Sequence, residues 1–184
     1  KTPLQPVIPI PNDFQKPVIM VPEDILVEAT GPLTSINIGE AMATDESGIY
    51  SLTNNAPSSF PLGINTIIWT AVDGAGNMAI ASQTVTIQDS TPPKISSIDD
   101  ISLEAKSPSQ NLVTLTIPEI SDEVGVISVT NDAPEVFPLG ETIVTWTATD
   151  SSGNSASATQ TITVVDTTAP VVENLDSLTF EATA

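Results

Sequence analysis

The side chains of this chain that could do chemistry are carboxylates, and they recur at a fixed spacing. Asp73 and Asp150 lie 77 residues apart, and so do Asp89 and Asp166. Asp13 precedes Asp89 by 76 residues, which adds a third copy of that position. Carboxylate oxygens are the ligands that calcium prefers in proteins. The spacing therefore suggests a cation site that is repeated along the chain.

The composition limits the other kinds of chemistry. The 184 residues contain 23 acidic side chains and 4 basic ones, giving a net charge of −19, and there is no histidine or cysteine. Disulfides and the usual zinc ligands are therefore excluded. Binding to nucleic acid or to an anionic membrane surface is disfavoured, because four lysines cannot neutralise many phosphates.

An enzyme is not expected. Without histidine the chain cannot build a Ser-His-Asp triad. The adjacent acid pairs Glu23-Asp24 and Asp99-Asp100 do not make an acid/base pair, because neighbouring residues on a strand point to opposite faces. No catalytic residue is assigned.

The segments that carry the acids read as β-strands. Residues 66–73 and 141–150 alternate apolar and polar side chains, and so do residues 82–89 and 159–166. This alternation places Trp69 and Trp146 on the buried face, as core residues rather than as a platform for sugars. Turn residues follow every eight to twelve positions, which is typical of an all-β sandwich built from antiparallel sheets.

The repeat divides the chain into serial domains of one fold. APSSFPLG at residues 56–63 returns as APEVFPLG at residues 133–140. We expect a preceding segment or linker at 1–14, domains at 15–90 and 91–167, and the first strand of an incomplete third module at 168–184. Proline in each junction predicts short, stiff linkers and therefore an extended array.

The second copy carries a family resemblance most fully, in TNDAPEVFPLGETIVTWTATDSSGNSASATQTITVVDTTAP at residues 130–170. This run resembles the hyalin repeat, or HYR, module, and the likeness covers nearly the whole chain. The resemblance implies tandem immunoglobulin-like domains of an extracellular or cell-surface protein associated with adhesion. In the loop after the core strand the first copy has Asp73-Gly74-Ala75 where the second has Asp150-Ser151-Ser152, a change that we expect to have no effect.

We expect calcium at the domain junctions. In a seven-stranded sandwich, Asp122 and Asp150 lie in loops at the N-terminal end of the second domain, and Asp89 lies in the linker beside them. Glu28, at the far end of the first domain, is expected to reach the same place. The equivalent residues above the first domain are Asp13, Asp45 and Asp73, and Glu104 and Asp166 would begin a third site. The layout resembles a cadherin junction, although the sequences do not match.

A simpler interpretation is that these acids only build turns. An aspartate at the start of a turn bonds its own backbone two residues on, and a glycine follows where φ is positive. Both interpretations stay open at the level of sequence.

The function expected from these patterns is that of a stiff structural or adhesive spacer in a secreted or cell-surface protein. Its expected partners are neighbouring domains of the same chain, and further copies of itself or a surface protein or glycan. Two alternatives stay open: a subunit that self-assembles into filaments or surface layers by strand addition, and a module that binds a protein or glycan through its loops. Direct membrane insertion is not expected, since no run of 18 apolar residues occurs.

Overall fold

The protein is all-β, as the sequence predicts. A computed structural model describes residues 13–172, and in this range every regular element is a strand. No helix that could cross a membrane occurs in the described range. The expected segment at 1–14 and the expected third-module strand at 168–184 lie largely outside the described residues.

The first repeat contains eight strands, and its two long strands carry the predicted core. They are β1 (Val18–Met20), β2 (Ile25–Glu28), β3 (Leu33–Thr34), β4 (Met42–Thr44), β5 (Ile49–Asn54), β6 (Phe60–Pro61), β7 (Gly63–Asp73) and β8 (Met78–Gln88). One sheet has the order β2-β8-β7-β5, and β1 pairs with β4 and β3 with β6 in two short sheets.

The second repeat follows the same plan. Its strands are β9 (Lys94–Ile95), β10 (Ile101–Glu104), β11 (Ile120–Ser121), β12 (Val126–Asn131), β13 (Gly140–Asp150) and β14 (Ser155–Val165). The main sheet has the order β10-β14-β13-β12, and β9 pairs with β11. Each repeat thus places an aspartate at the end of its central long strand, Asp73 on β7 and Asp150 on β13.

The sheets are not purely antiparallel, and in this respect the sequence-based expectation was incomplete. β2 pairs with β8 in parallel, with Ile25 opposite Val85 and Glu28 opposite Gln88. β10 and β14 pair in the same way. When a domain is entered at one end and left at the other, a strand near its start, such as β2, and its last strand, β8, can run in the same direction, and as neighbours they then pair in parallel. The long crossover between them satisfies the requirement of a parallel pair.

The core lies between the β2-β8-β7-β5 sheet and the short strands that cover it. Ile67, Trp69, Val85 and Ile87 are buried at its centre together with Phe60, as the alternation predicts. Trp146 is 2% exposed, so the core interpretation of both tryptophans is confirmed.

A buried glutamine, which the sequence analysis did not identify, sits beside each tryptophan. Gln83 is fully buried; its Oε1 accepts the indole N–H of Trp69, and its Nε2 donates to the carbonyls of Glu23 and Ile38. Gln160 repeats the bond from Trp146 and donates to the carbonyl of Asp99. These bonds tie the segments beside β2 and β10 to the core sheet.

The chain divides into two compact units whose limits differ from those of the sequence repeats. The first comprises Lys1–Ser96, Glu119–Val129 and Thr147–Ala156, and the second comprises Ser97–Pro118, Thr130–Trp146 and Ser157–Ala184. The domain limits drawn from the sequence stay a prediction.

Replacing Gln83 with leucine should destabilise the first repeat by about 1–3 kcal/mol, because buried polar groups lose their partners. Gln160→Leu should cost less, since Gln160 has one carbonyl partner where Gln83 has two. Urea unfolding followed by tryptophan fluorescence checks both, with Trp146→Phe or Trp69→Phe isolating the signal of one repeat. Equal costs for the two substitutions would contradict this ranking.

Candidate metal sites

Two trios of aspartates come together in the first compact unit. Asp13, Asp45 and Asp73 form one, and each contributes a carboxylate oxygen that lies within 4.8 Å of the other two. Asp89, Asp122 and Asp150 form the other, by the same measure. We call them the first and the second trio. Six of the nine acids expected to be ligands are thus brought together.

The buried member of each trio shapes the loop that follows its strand. Asp73 is 1% exposed; its Oδ1 accepts the backbone N–H groups of Ala75 and Asn77 at 2.9 and 2.8 Å, and its Oδ2 accepts Nδ2 of Asn77 at 2.8 Å. Gly76 has φ of 94°, a conformation that glycine adopts readily. The loop is therefore wound around a carboxylate.

Asp150 repeats this arrangement. It is fully buried; its Oδ1 accepts the N–H groups of Ser152 and Asn154 at 2.9 Å each, and its Oδ2 accepts Nδ2 of Asn154 at 2.9 Å. Gly153 has φ of 92°. The sequence pattern Asp-x-x-Gly-Asn thus encodes one loop geometry twice.

The same asparagines hold the aspartates that precede each repeat. Asn77 Nδ2 donates to the carbonyl of Asp13 at 3.2 Å, and Asn154 Nδ2 donates to the carbonyl of Asp89 at 3.1 Å. The side-chain amide of each asparagine thus bonds the main chain of the linker. The asparagine therefore positions the linker acid.

The remaining members of the trios also make turns. Oδ1 of Asp45 accepts the N–H and the hydroxyl of Ser47, at 2.8 and 2.7 Å. Oδ1 of Asp122 accepts the N–H groups of Val124 and Gly125 at 2.9 Å each. The turn interpretation is therefore correct for Oδ1 of Asp45 and of Asp122. Oδ2 of these two residues does not bond the residues of the turns.

Asp13 differs from the other five. Its Oδ1 accepts the N–H of Gln15 at 2.9 Å, but its Oδ2 is buried and has no hydrogen-bond partner. Among the described residues it is the only buried side-chain oxygen or nitrogen without one. Buried charged oxygens normally have a partner, so this atom marks a place for a further group.

Glu28 belongs to neither trio. Its carboxylate accepts the N–H of Ser90 at 2.6 Å and the hydroxyls of Ser90 and Thr91 at 3.0 Å. Glu104 does the same with Thr167 and Thr168. Oδ1 of Asp166 accepts the N–H of Thr168 at 3.1 Å. Glu28 and Glu104 hold the start of the segment that follows β8 and β14, respectively.

The hydrogen bonds keep the key carboxylates ionised. Burial raises the pKa of Asp73. The hydrogen bonds from the side chain of Asn77 and from the backbone N–H groups of the loop together lower it by more, so the pKa of Asp73 lies below its ordinary value. Asp150 behaves in the same way through Asn154. The N–H of Ser90 lowers the pKa of Glu28, and the N–H of Thr167 lowers that of Glu104. Both trios therefore present negative charge at neutral pH.

Related sequences include two hyalins and a protein named for its sushi, von Willebrand factor type A, EGF and pentraxin domains. The chain is 38% identical over 177 residues to hyalin of Lytechinus variegatus and 36% identical over 176 residues to hyalin of Strongylocentrotus purpuratus, with 87% of this chain covered in each case. It spans 33% and 15% of those proteins. It is also 32% identical over 157 residues to a sushi, von Willebrand factor type A, EGF and pentraxin domain-containing protein of Rattus norvegicus, covering 78% of this chain and 4% of that protein.

Solved structures give a weaker likeness. Human mucin-like protocadherin EC1-2 aligns with 81% of this chain and 98% of its own, at 12% identity and a TM-score of 0.36. Protocadherin gamma B7 aligns with 78% of this chain and 49% of its own, at 12% identity and a TM-score of 0.35. TM-scores this low do not indicate a shared function or superfamily.

The family model of the HYR domain matches residues 88–164, which include β9 to β13, most of β14 and the whole second trio. This match and the hyalin relatives support the extracellular or cell-surface location that the sequence resemblance implies. Residues 88–164 belong to the HYR domain family.

Proposed function

We propose that this chain is a structural, adhesive segment of an extracellular protein, in which calcium bound by the two trios stabilises the joints between repeats. The observation that carries the proposal is the buried Oδ2 of Asp13, which has no partner within a group of three carboxylates. A cation would supply the missing partner and offset the repulsion among the three negative charges.

The donor set suits calcium. Each trio offers carboxylate oxygens, and main-chain carbonyls can add to the six to eight oxygens that calcium takes. Asp13, Asp45 and Asp73 would hold one ion, and Asp89, Asp122 and Asp150 a second. Because the members of a trio lie far apart in the sequence, an ion on them would link the end of one segment to loops of another.

Calcium should raise the melting temperature of the intact chain. A site filled at 100 times its dissociation constant stabilises a protein by about 2.7 kcal/mol, which shifts the melting temperature of a domain of this size by roughly 10 °C or more. Differential scanning calorimetry, with calcium added to chelator-treated protein, measures the shift. The double variant Asp45→Asn and Asp122→Asn keeps both Oδ1 acceptors and should abolish it.

Asp132→Asn is the matched control. Oδ1 of Asp132 accepts the N–H of Thr145 at 2.6 Å, and Asn55 plays that part in the first repeat by accepting the N–H of Ile68. Asp132 lies in neither trio, so its substitution should leave the calcium response unchanged. An unchanged melting temperature on adding calcium to the parent chain would refute the calcium proposal.

The calcium effect should persist from pH 7 to about pH 5 and be lost only below the ordinary pKa of an aspartate, about 3.9. Asp73 and Asp150 have a folded-state pKa below the unfolded value of about 3.9. Their ionised forms therefore stabilise the fold above that pH, and this contribution is lost as the pH falls through the folded-state pKa. Calorimetry at each pH, with and without added calcium, checks the expectation. Loss of the effect between pH 7 and pH 6 would contradict it.

A second candidate function, self-association, is favoured by the outer face of the first repeat's sheet. Leu26, Ile64, Met78 and Ile80 are 51–77% exposed there. The equivalent residues of the second repeat are Ser102, Glu141, Ser155 and Ser157. Ile143 is the exception, standing where the first repeat has Thr66. A repeat that binds a partner through its surface needs exposed residues that differ from those of the other repeat, and this face of the first repeat meets that condition.

The favoured occupant of this face is a second copy of the chain. The outward residues of β7 and β8 carry no charge, although the chain has a net charge of −19. Two copies that meet through these strands therefore bring no like charges directly together, and sheets can pack face to face about 10 Å apart.

Met78→Ser with Ile80→Ser should weaken this association, because both residues are replaced by those of the second repeat. Sedimentation velocity across a concentration series measures it, and Ile143→Ser is the matched control on the other repeat. Added salt should strengthen the association by screening the net charge. A chain that is monomeric at all concentrations and salt levels would eliminate this candidate.

A further inference from the structure

The loops around the two buried aspartates keep the same aspartate, glycine and asparagine but differ at two positions, Gly74 against Ser151 and Ala75 against Ser152, and the second of these affects the trio. Ala75 in the first loop corresponds to Ser152 in the second, 77 residues later. The bonds to the buried aspartate and from the asparagine to the linker carbonyl are the same in both loops. The position thus adds one hydroxyl group beside the linker aspartate of the second trio; in the first trio the additional hydroxyl is that of Ser47, which donates to Oδ1 of Asp45.

That hydroxyl gives the linker aspartate of the second trio a partner that the linker aspartate of the first trio lacks. Ser152 Oγ donates to Oδ2 of Asp89 at 2.7 Å. Ala75 has no hydroxyl, and the equivalent Oδ2 of Asp13 is buried without a partner. The exchange of alanine for serine, which looks neutral in the sequence, therefore changes the state of a carboxylate in the trio.

We propose that this difference makes the two trios unequal, so that the first binds calcium more tightly than the second. The inference rests on the proposed function. In the first trio the cation binds Oδ2 of Asp13, which has no hydrogen bond to give up. In the second trio the cation competes with the hydrogen bond that Ser152 Oγ donates to Oδ2 of Asp89. Such a bond is equivalent to roughly a 10- to 100-fold change in affinity.

The same contact has the opposite effect on the cation-free protein. Ser152 stabilises the second trio when no cation is bound, and the first trio lacks that help. As the calcium concentration rises, the first trio binds the ion while Asp89 of the second trio still accepts its hydrogen bond from Ser152. The second trio would then be the one that responds at higher calcium concentration.

Reciprocal exchange of the two side chains tests the proposal in the full chain. Ala75→Ser should weaken calcium binding at the first trio by about 10- to 100-fold and should raise the melting temperature in chelator. Ser152→Ala should tighten the second trio by a similar factor and should lower the melting temperature in chelator. Isothermal titration with calcium chloride measures the affinities, and Asp45→Asn or Asp122→Asn silences one trio so that each affinity is assigned.

The outcomes separate this inference from the function on which it rests. Two binding events that move in the stated directions support it. Two events of equal affinity that neither exchange alters overturn it and leave the calcium proposal intact. Tighter binding in Ala75→Ser also overturns it, because the hydroxyl would then act as a ligand. Absence of binding in every variant, including the parent chain, defeats both proposals.

Discussion

A buried carboxylate at the end of each central strand is the constraint on which the rest of the structure depends. Asp73 and Asp150 are 1% and 0% exposed, and neither can stay ionised there without donors. The chain meets this need locally, by winding the next four residues around each carboxylate. The positive φ of the glycine and the asparagine at the end of the loop both follow from it.

The asparagine then extends the constraint to the linker. Through Nδ2 it binds both the buried carboxylate and the carbonyl of the aspartate that precedes the repeat. This places a second acid against the first, and a third from the turn after β4 or β11 completes the trio. A chain with 23 acids and four lysines has few cations of its own to balance such a group. The proposed divalent ion would resolve this conflict through the oxygen ligands that are present.

Much of the fold follows from the sequence because the alternation along the long strands is unambiguous. Ile67, Trp69 and Val85 are buried where period two predicts, and the 77-residue shift carries each assignment to the second repeat. The parallel pairing of β2 with β8 was not predicted, because strand alternation carries no information about which strands become neighbours. Gln83 was missed for a related reason: its polar atoms are satisfied by groups 14 to 60 residues away.

The candidate site shows where sequence reasoning stops. The loop positions expected for a sandwich, together with the repeat, identified the members of both trios, but they also grouped Glu28 with them, and Glu28 instead holds Ser90 and Thr91. The step from Ala75 to Ser152 looked neutral because the loop motif keeps its aspartate, glycine and asparagine. Its effect depends on a hydroxyl reaching an aspartate 63 residues away along the chain, and only the folded geometry shows that contact.

The most direct measurement of the central claim is an anomalous difference map from crystals of this chain grown with calcium. The account predicts a peak among the carboxylates of Asp13, Asp45 and Asp73, with oxygen ligands at about 2.3–2.6 Å and Oδ2 of Asp13 among them. A well-ordered crystal with no peak at either trio, and with Oδ2 of Asp13 still without a partner, would contradict it.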